Sequence, residues 1–313
     1  MSWLITGGAG YIGSHIADLF QQEGLDYYCY DNLSAGDPAR IPDSERLIVG
    51  DINDEVKLES VINELEVSGI IHLAAKKSVE ESREKPMLYE RTNFKATEKI
   101  LDICSRNSVS KFIFSSTAAV YGESKLGFVS EDAELHPMST YGVTKMKAEN
   151  ALNSYINQEL IQGVSLRYFN VIGQASAALK DNSSDNLVPR VLTAARKHIQ
   201  PQIYGNDYPT SDRTCIRDYV DVRDIARLHL RLCRDFEGPK LPIALNVGTG
   251  VGVSVLEVMQ SIYARMGLSL NPEVLPRRQG DPSTLVAEIG KMKEEVGFVT
   301  KFDFESSIES LLQ

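Results

Sequence analysis

Cysteine, histidine and basic charge are all scarce in this chain, and each scarcity removes a class of function. The four cysteines, Cys29, Cys104, Cys215 and Cys233, form no CxxC pair and sit in apolar or mixed segments. Neither a disulfide framework nor a zinc site is indicated, and they read as buried thiols. The five histidines are scattered without an HExxH pattern, so no metal site is expected. With 33 basic against 43 acidic residues, the net charge is −10, which leaves no cationic stripe to neutralise a nucleic-acid backbone. A phosphorylated ligand must then be held by a few placed cations and by backbone N–H groups. Long apolar runs are also missing: stretches such as Gly69 to Ala75 fall far short of the roughly 20 residues that span a bilayer. Met1-Ser2-Trp3-Leu4-Ile5-Thr6 runs straight into a glycine-rich turn, without the basic start and apolar core of a secretory signal. No membrane association and a cytoplasmic location are expected.

What is present is ordinary for a globular enzyme, 42% apolar and 24% charged residues in a chain of 313, enough for one large domain or a large and a small one. The first half alternates short β-branched runs with helical patterns, which predicts an α/β fold with a doubly wound parallel sheet. Strands are expected at Trp3 to Thr6, Tyr27 to Tyr30, Arg46 to Val49, Gly69 to Leu73, Lys111 to Ser115 and Val164 to Tyr168. Helices are expected near Tyr11 to Glu23, Val56 to Leu65, Asn93 to Asn107 and Tyr141 to Gln158. Beyond Asn170 the alternation stops and prolines enter, marking a second, smaller lobe. Tyr219 to Cys233 reads as helix and Ala244 to Val247 as buried strand. The expected division is a cofactor domain of residues 1–169, with 219–249 returning to it, and a lobe made of 170–218 and 250–313.

After the first strand comes Thr6-Gly7-Gly8-Ala9-Gly10-Tyr11-Ile12-Gly13-Ser14-His15. It satisfies GxGxxG from Gly8 and GxxGxxG from Gly7, the pattern that brings backbone and a helix N-terminus close to a pyrophosphate. Alone it could be only a loop. The second strand, however, ends in Asp31-Asn32, about 20 residues on, where a carboxylate accepts from a ribose 2′-hydroxyl. This selects NAD over NADP, because a 2′-phosphate would face the Asp31 charge. Asp51-Ile52, after the third strand, is placed to contact adenine; a plain turn carboxylate would look the same in sequence.

Tyr141-Gly142-Val143-Thr144-Lys145 sets a phenol and an ammonium on one helical face at i and i+4. A phenol ordinarily titrates near pH 10, and a neighbouring cation favours its phenolate. Such a pair alone usually means a surface helix. Here the fifth strand delivers Ser115-Ser116-Thr117 at its C-terminal end, where open α/β sheets bind ligands.

At this point the chain resembles UDP-glucose 4-epimerase and its relatives, NAD-dependent epimerase/dehydratases of the extended short-chain dehydrogenase/reductase type. The resemblance rests on TGGAGYIGSH (6–15), DNL (31–33), GDI (50–52), HLAAKKSVEES (72–82), FIFSSTAAVYG (112–122), YGVTK (141–145), LRYFNVIG (166–173), YGNDYPTSDRTCIRDYVDV (204–222), NVGTGVGVSVLEV (246–258) and PRRQGD (276–281). It implies a Rossmann fold and a catalytic set of Thr117, Tyr141 and Lys145. It implies cofactor contacts at Gly7, Gly10, Tyr11, Ile12, Gly13, Asp31, Asn32, Asp51 and Ile52, then at Leu73, Ala74, Ala75, Lys77, Asn93, Ser115, Tyr168 and Phe169. The sugar nucleotide would meet Thr117, Asn170, Asn186 and Leu187, Tyr204 beside uracil, Arg217 and Arg278 on the phosphates, and Asp281 on a ribose. A planar guanidinium fork suits a diphosphate, although either arginine taken singly reads as a solvated surface charge. A homodimer through the helices near Asn93 to Asn107 and Tyr141 to Gln158 is the family expectation.

The implied chemistry is inversion at C4 of a UDP-hexose. Tyr141 takes the proton of the 4-hydroxyl as hydride passes to a retained NAD, and the 4-keto sugar turns about its diphosphate and is reduced on its other face. Two departures stand out. Leu285 occupies a place where glucose- and galactose-restricted relatives often carry tyrosine, and Gln313 ends the chain short of the usual family length. A 4,6-dehydratase would place Asp-Glu after the threonine, where this chain has Ala118-Ala119. A sugar-nucleotide 4-reductase or decarboxylase stays open, as does, from a different class, a non-catalytic NAD-sensing protein that keeps the fold.

Overall fold

The computed structural model describes residues 2–123, 127–236, 241–278 and 280–313. Residues 237–240 of the returning segment and Gln279 of the PRRQGD stretch lie outside the described residues.

The large sheet is built from strands that are apolar on both faces, the signature of a parallel sheet covered by helices. Its order is Ala244–Val247, Gln162–Tyr168, Lys111–Thr117, Val67–His72, Ser2–Thr6, Tyr27–Asp31, Leu47–Val49, with every pairing parallel. Alternation along each strand sends Trp3, Ile5, Ile71 and Ile113 to one face and Leu4, Ile70, Phe112 and Phe114 to the other. On the first face the helix Tyr11–Gln22 buries Ile16, Ala17 and Phe20 against Ile225, Ala226 and Leu228 of the helix Val222–Asp235. Its positions i, i+1 and i+4 form the apolar stripe. Truncating Phe20 to alanine there would cost about 3–5 kcal/mol. On the second face Leu58, Val61 and Ile62 of Glu55–Glu64 pack with Ile100 and Leu101 of Ala96–Arg106 and with Ala148 and Leu152 of Thr140–Asn157.

The strand order reverses between Ser2–Thr6 and Val67–His72, because the chain runs outward to Leu47–Val49 and then crosses back. Open α/β sheets bind ligands at the carboxyl edge of such a switch point. Gly7 to Gly13 sit there.

A second sheet runs Gly252–Ser254, Ile216–Asp221, Thr284–Ala287, Phe128–Val129, with Asn170–Ile172 also paired to Ile216–Asp221. Helices Leu187–Arg196, Val255–Arg265 and Phe304–Ser310 bury Val191, Met259, Ile262 and Ile308 beside it. Gln202–Tyr204 and Glu273–Leu275 form a separate parallel pair.

The expected strands and helices of the first half occur within two or three residues of their predicted ends. Two segments differ. The helix expected from Asn93 begins at Ala96, after a wider π-helical stretch over Glu90–Lys95. The helix expected from Tyr219 begins at Val222. Tyr219 to Asp221 finish a strand, and the Asp221 carboxylate caps the helix by accepting from the Arg223 N–H at 2.8 Å.

Candidate active site

The glycine loop is shaped by contacts that a side chain would prevent. Gly7 holds φ +74°, and a Cβ there would lie 2.7 Å from the Ala74 nitrogen. A Cβ on Gly13 would strike the Gly7 carbonyl, whereas one on Gly10 would meet only that carbonyl, at 3.2 Å. Gly10 gives the helix Tyr11–Gln22 no side-chain cap, and the first helical bond described runs from the Ser14 N–H to the Gly10 carbonyl. The leading N–H groups are left to an anion. This glycine-lined opening beside an uncapped helix fits a dinucleotide pyrophosphate.

Asp31 is 8% exposed, and its carboxylate accepts from the Ala9 N–H at 3.0 Å and the Leu33 N–H at 2.8 Å. Each oxygen keeps a lone pair for a ribose hydroxyl. A Cβ on Gly36 would press on that carboxylate at 2.9 Å, a constraint with no sequence signal beyond the glycine itself. Asn32 donates to Asp51 at 2.9 Å. Burial opposes ionisation of Asp51, but bonds from Asn53 and Asn32 outweigh it and hold the carboxyl below its usual range. Ile52 is 6% exposed and packs with Leu58 and Val61, so its side chain serves the core.

Leu73 and Ala74 continue from the central strand, their N–H groups bonded to the Thr6 carbonyl at 3.0 Å and hydroxyl at 3.4 Å. Ala75 follows half-buried, and Lys77 is exposed. Asn93 is 1% exposed and spends its amide on the Lys76 backbone, accepting and donating at 2.8 Å each, so it clamps the loop that carries Lys77. A residue that sequence reading passed over, His72, completes this frame. Its Nδ1 lies 2.7 Å from the Thr6 hydroxyl and its Nε2 3.0 Å from that of Thr97. Thr97 donates to the Asn93 carbonyl at 2.8 Å, so it accepts from His72, and the inferred tautomer carries its proton on Nε2. Burial, aided by the Lys145 charge, pushes this histidine down to about 3, which keeps it neutral.

The reacting groups meet where the strand Lys111–Thr117 ends against the helix Thr140–Asn157. Ser139 caps that helix through the Gly142 N–H at 3.1 Å, which fixes Tyr141 in its first turn. The Thr117 hydroxyl, at the end of its strand, stands near enough to the Tyr141 phenol to favour its ionised form. Lys145 is 2% exposed, donates to the Ser115 carbonyl at 2.6 Å and stands 4.7 Å from the centre of the Phe114 ring. Its other two N–H bonds are available to a ligand. Burial drives both groups toward neutrality, Tyr141 up to about 12 despite the opposing influence of Thr117, and Lys145 down to about 7 despite Glu149. The expected lowering of the phenol by the lysine is therefore outweighed by desolvation in the protein alone. Tyr168 pairs with Thr117 in register, its hydroxyl lies 3.0 Å from His229 Nε2, and its ring is buried in the core on the first face of the large sheet, whereas Phe169 packs with Ala118 and Leu285.

The remaining groups come from the second sheet and its flanks. Asn170, exposed, pairs with Tyr219, while Arg217 pairs with Leu285 on the neighbouring strand. Arg217 lies 3.5 Å from Asp281. Leu285 is 8% exposed and packs with Ala118 and Phe169, next to Thr117. Asn186 donates to Asp181 at 2.7 Å and precedes the helix that Leu187 opens without a side-chain cap. Tyr204 lies between two cations: Arg278 sits 4.0 Å from its ring centre, and Arg190 donates to its hydroxyl at 3.1 Å. The Arg190 bond, foremost, lowers the Tyr204 phenol. Arg190 was missed because its only mark in sequence is its place one turn into the Leu187 helix. Arg278 also lies 3.8 Å from Glu80 on the helix Val79–Glu84. No metal-binding group occurs among the described residues.

The sequence model of the NAD dependent epimerase/dehydratase family matches residues 3–248. The chain belongs to this family. Among curated members, the UDP-glucose 4-epimerase of Corynebacterium glutamicum is 39% identical over 301 residues, covering 95% of this chain and 90% of that protein. Among solved structures, UDP-glucose 4-epimerase from Brucella ovis in complex with NAD superposes with a TM-score of 0.92 at 36% identity, over 99% of this chain and 96% of that one. The UDP-Glc/GlcNAc 4-epimerase from Campylobacter jejuni does so with 0.86 at 33% identity, over 99% and 97%.

Proposed function

We propose that this epimerase-family protein inverts C4 of a UDP-hexose, UDP-glucose and UDP-galactose first, with a retained NAD. The observation that carries the reading is the convergence of Thr117, at the end of its strand, and Tyr141, in the first turn of its helix, with buried Lys145 one turn on, at the carboxyl edge of the switch-point sheet.

Gly7, Gly10, Tyr11, Ile12 and Gly13 would hold the pyrophosphate, Asp31 the adenosine ribose, and Lys145 the nicotinamide ribose. Asn32, Asp51 and Ile52 would bound the adenine, and Leu73 to Ala75, Lys77, Asn93, Ser115, Tyr168 and Phe169 would line the rest of the path. When bound, NAD supplies a hydride acceptor and donor together with a positive charge. Tyr141, as phenolate, takes the proton of the sugar 4-hydroxyl while Thr117 holds that oxygen, and Tyr141 returns the proton after the 4-keto sugar has turned. Arg217 and Arg278 grip the diphosphate during the turn, with Asn170, Asn186, Leu187, Tyr204 and Asp281 around the nucleoside end. A bidentate guanidinium anchors without fixing the hexose. Ala118 and Ala119 carry no side-chain proton with which to expel water from C5 and C6, which argues against a dehydratase.

We assign residues 1–169 and 219–249 to the cofactor domain and 170–218 and 250–313 to the substrate lobe. We also propose a homodimer through the helices near Asn93 to Asn107 and Tyr141 to Gln158, in the cytoplasm. Four buried, unpaired thiols suit a reducing compartment, and no helix among the described residues is long and apolar enough to cross a membrane. The deciding assay incubates purified protein with UDP-galactose and no added cofactor. Formation of UDP-glucose is expected, and its absence from protein that has retained NAD would overturn the reading.

A further inference from the structure

One turn beyond Lys145 on the same helix lies Glu149, 1% exposed. Tyr141, Lys145 and Glu149 recur at a spacing of four, so all three share one helical face. The Glu149 carboxylate is saturated by two neighbours. Arg167, itself 5% exposed, clamps it from Nε at 3.1 and 3.2 Å and from Nη2 at 2.7 Å, and the Ser116 hydroxyl donates to it as well. These partners belong to the reacting end of the sheet. Ser116 precedes Thr117, and Arg167 precedes Tyr168, with both pairs in register across adjacent strands.

Burying such an ion pair costs several kcal/mol of desolvation per ion, and apolar replacement of a buried pair is often neutral or stabilising. Stability is therefore a weak reason for this arrangement. Lys145 shows a stronger one. Its ammonium is held by a neutral carbonyl, that of Ser115, and by the face of Phe114, neither of which carries a charge. The ionisable groups placed around it are Tyr141 and Glu149, four residues to either side on its own helix, and His72 from the central strand, with Arg167 bound to Glu149. His72 is neutral, and Arg167 is already matched to Glu149. Glu149 is thus the anion left to keep Lys145 charged, and burial opposed by Glu149 is the balance found for that lysine.

We propose that Glu149 is a positioning residue for the epimerisation, a buried anion that Arg167 and Ser116 lock in place so that Lys145 remains an ammonium in the site. It touches neither substrate nor cofactor and acts through Lys145. The proposal rests on the catalytic reading of Tyr141 and Lys145. A merely structural role, neutralising Arg167 on its way to Tyr121 at 2.9 Å and onward to Asn246 at 2.6 Å, would leave the Lys145 titration unmoved.

Glu149→Gln makes the distinction, since glutamine keeps an acceptor and loses the charge. In lysine-labelled protein without substrate, with Lys145→Met assigning the resonance by NMR, the Lys145 titration is expected to fall by about one pH unit. The alkaline limb of kcat should move down with it, with roughly a tenfold loss of turnover above that limb. Because Glu149→Gln leaves Arg167 without its partner, Glu149→Gln/Arg167→Met serves as a second variant in which both charges are gone, and a smaller shift in the same direction is expected, since the repulsion from Arg167 has gone with it. In a Lys145→Met background, Glu149→Gln should lower turnover no further. An unshifted Lys145 titration in either folded variant, or a full additional loss in the Lys145→Met background, overturns the proposal alone. Near-wild-type turnover of Lys145→Met overturns the catalytic reading beneath it.

Discussion

Thr117 closes one strand, Tyr141 stands in the first turn of one helix, and the threonine favours the tyrosine's phenolate, so the two elements converge on one candidate reacting point. Tyr141→Phe keeps the ring and removes only the group that carries the proton. Turnover is expected to fall by roughly 10²-fold or more, the scale of a lost positioned acid–base group, while NAD stays bound. Steady-state kinetics with cofactor quantified on the same sample checks this, and near-wild-type turnover would remove Tyr141 from its role.

Acid should destabilise the protein through three buried histidines. Burial lowers His15 to about 4, His72 to about 3 and His229 to about 4, whereas the unfolded chain titrates near 6.5. The unfolded state therefore binds more protons between these values, and stability falls as pH drops from about 6.5 toward 4. Each histidine contributes up to about 1.4 kcal/mol per pH unit in that window, roughly 4 for all three. Urea unfolding at pH 7, 6 and 5 measures the slope. A flat profile, or resonances of these three histidines titrating near 6.5, would contradict the assignment.

The pattern of glycines and strand ends marks the proposed cofactor half of the site in sequence, because each feature there is a local backbone demand. Gly7 needs positive φ, Gly13 needs an empty Cβ, and Asp31 ends a strand at a set distance. Tyr141 and Lys145 were readable for the same reason, being four apart on one helix. What was not legible depends on distant strands. His72 bridges Thr6 to Thr97, Arg167 meets Glu149, and Arg190 meets Tyr204 only after folding. Glu149 shares the four-residue spacing, yet its partners lie on two strands that only the sheet brings alongside. The Tyr219 segment misled because a strand and the helix after it are both apolar there, and Asp221, the residue that divides them, acts through its cap.

Asp31 is expected to set the cofactor. Its oxygens are pinned by the Ala9 and Leu33 N–H groups, so the carboxylate cannot swing away from a 2′-phosphate, and like charges a few ångströms apart repel. The protein as purified should release NAD or NADH on denaturation. Mass measurement of the released cofactor decides, and mainly NADP would contradict the role of Asp31. Asp31→Ala should weaken NAD retention and narrow the preference over NADP by roughly ten- to a hundredfold, a charge-assisted hydrogen bond being worth about 1.5–3 kcal/mol.

Leu285 faces Arg217 across adjacent parallel strands and packs with Ala118 and Phe169 beside Thr117. It thus stands between an expected phosphate anchor and the proposed catalytic threonine, where the hexose is expected to lie. A larger side chain would reach further over the sugar ring, while leucine leaves depth beside it in which an acetamido group finds partial room. Leucine, 8% exposed, is already packed among Ala118 and Phe169. Activity on UDP-glucose and UDP-galactose is therefore expected to exceed that on the N-acetylated pair, which should still turn over. A few unfavourable contacts cost about 1–3 kcal/mol, or roughly 10- to 200-fold in kcat/KM. Leu285→Tyr should widen that ratio, since tyrosine occupies the remaining depth, and Leu285→Ser should narrow it. The comparison is kcat/KM for both sugar pairs in the three proteins. If the ratio is the same in all of them, the wall beside Arg217 does not select the C2 substituent, and Leu285 serves only the packing around Ala118 and Phe169.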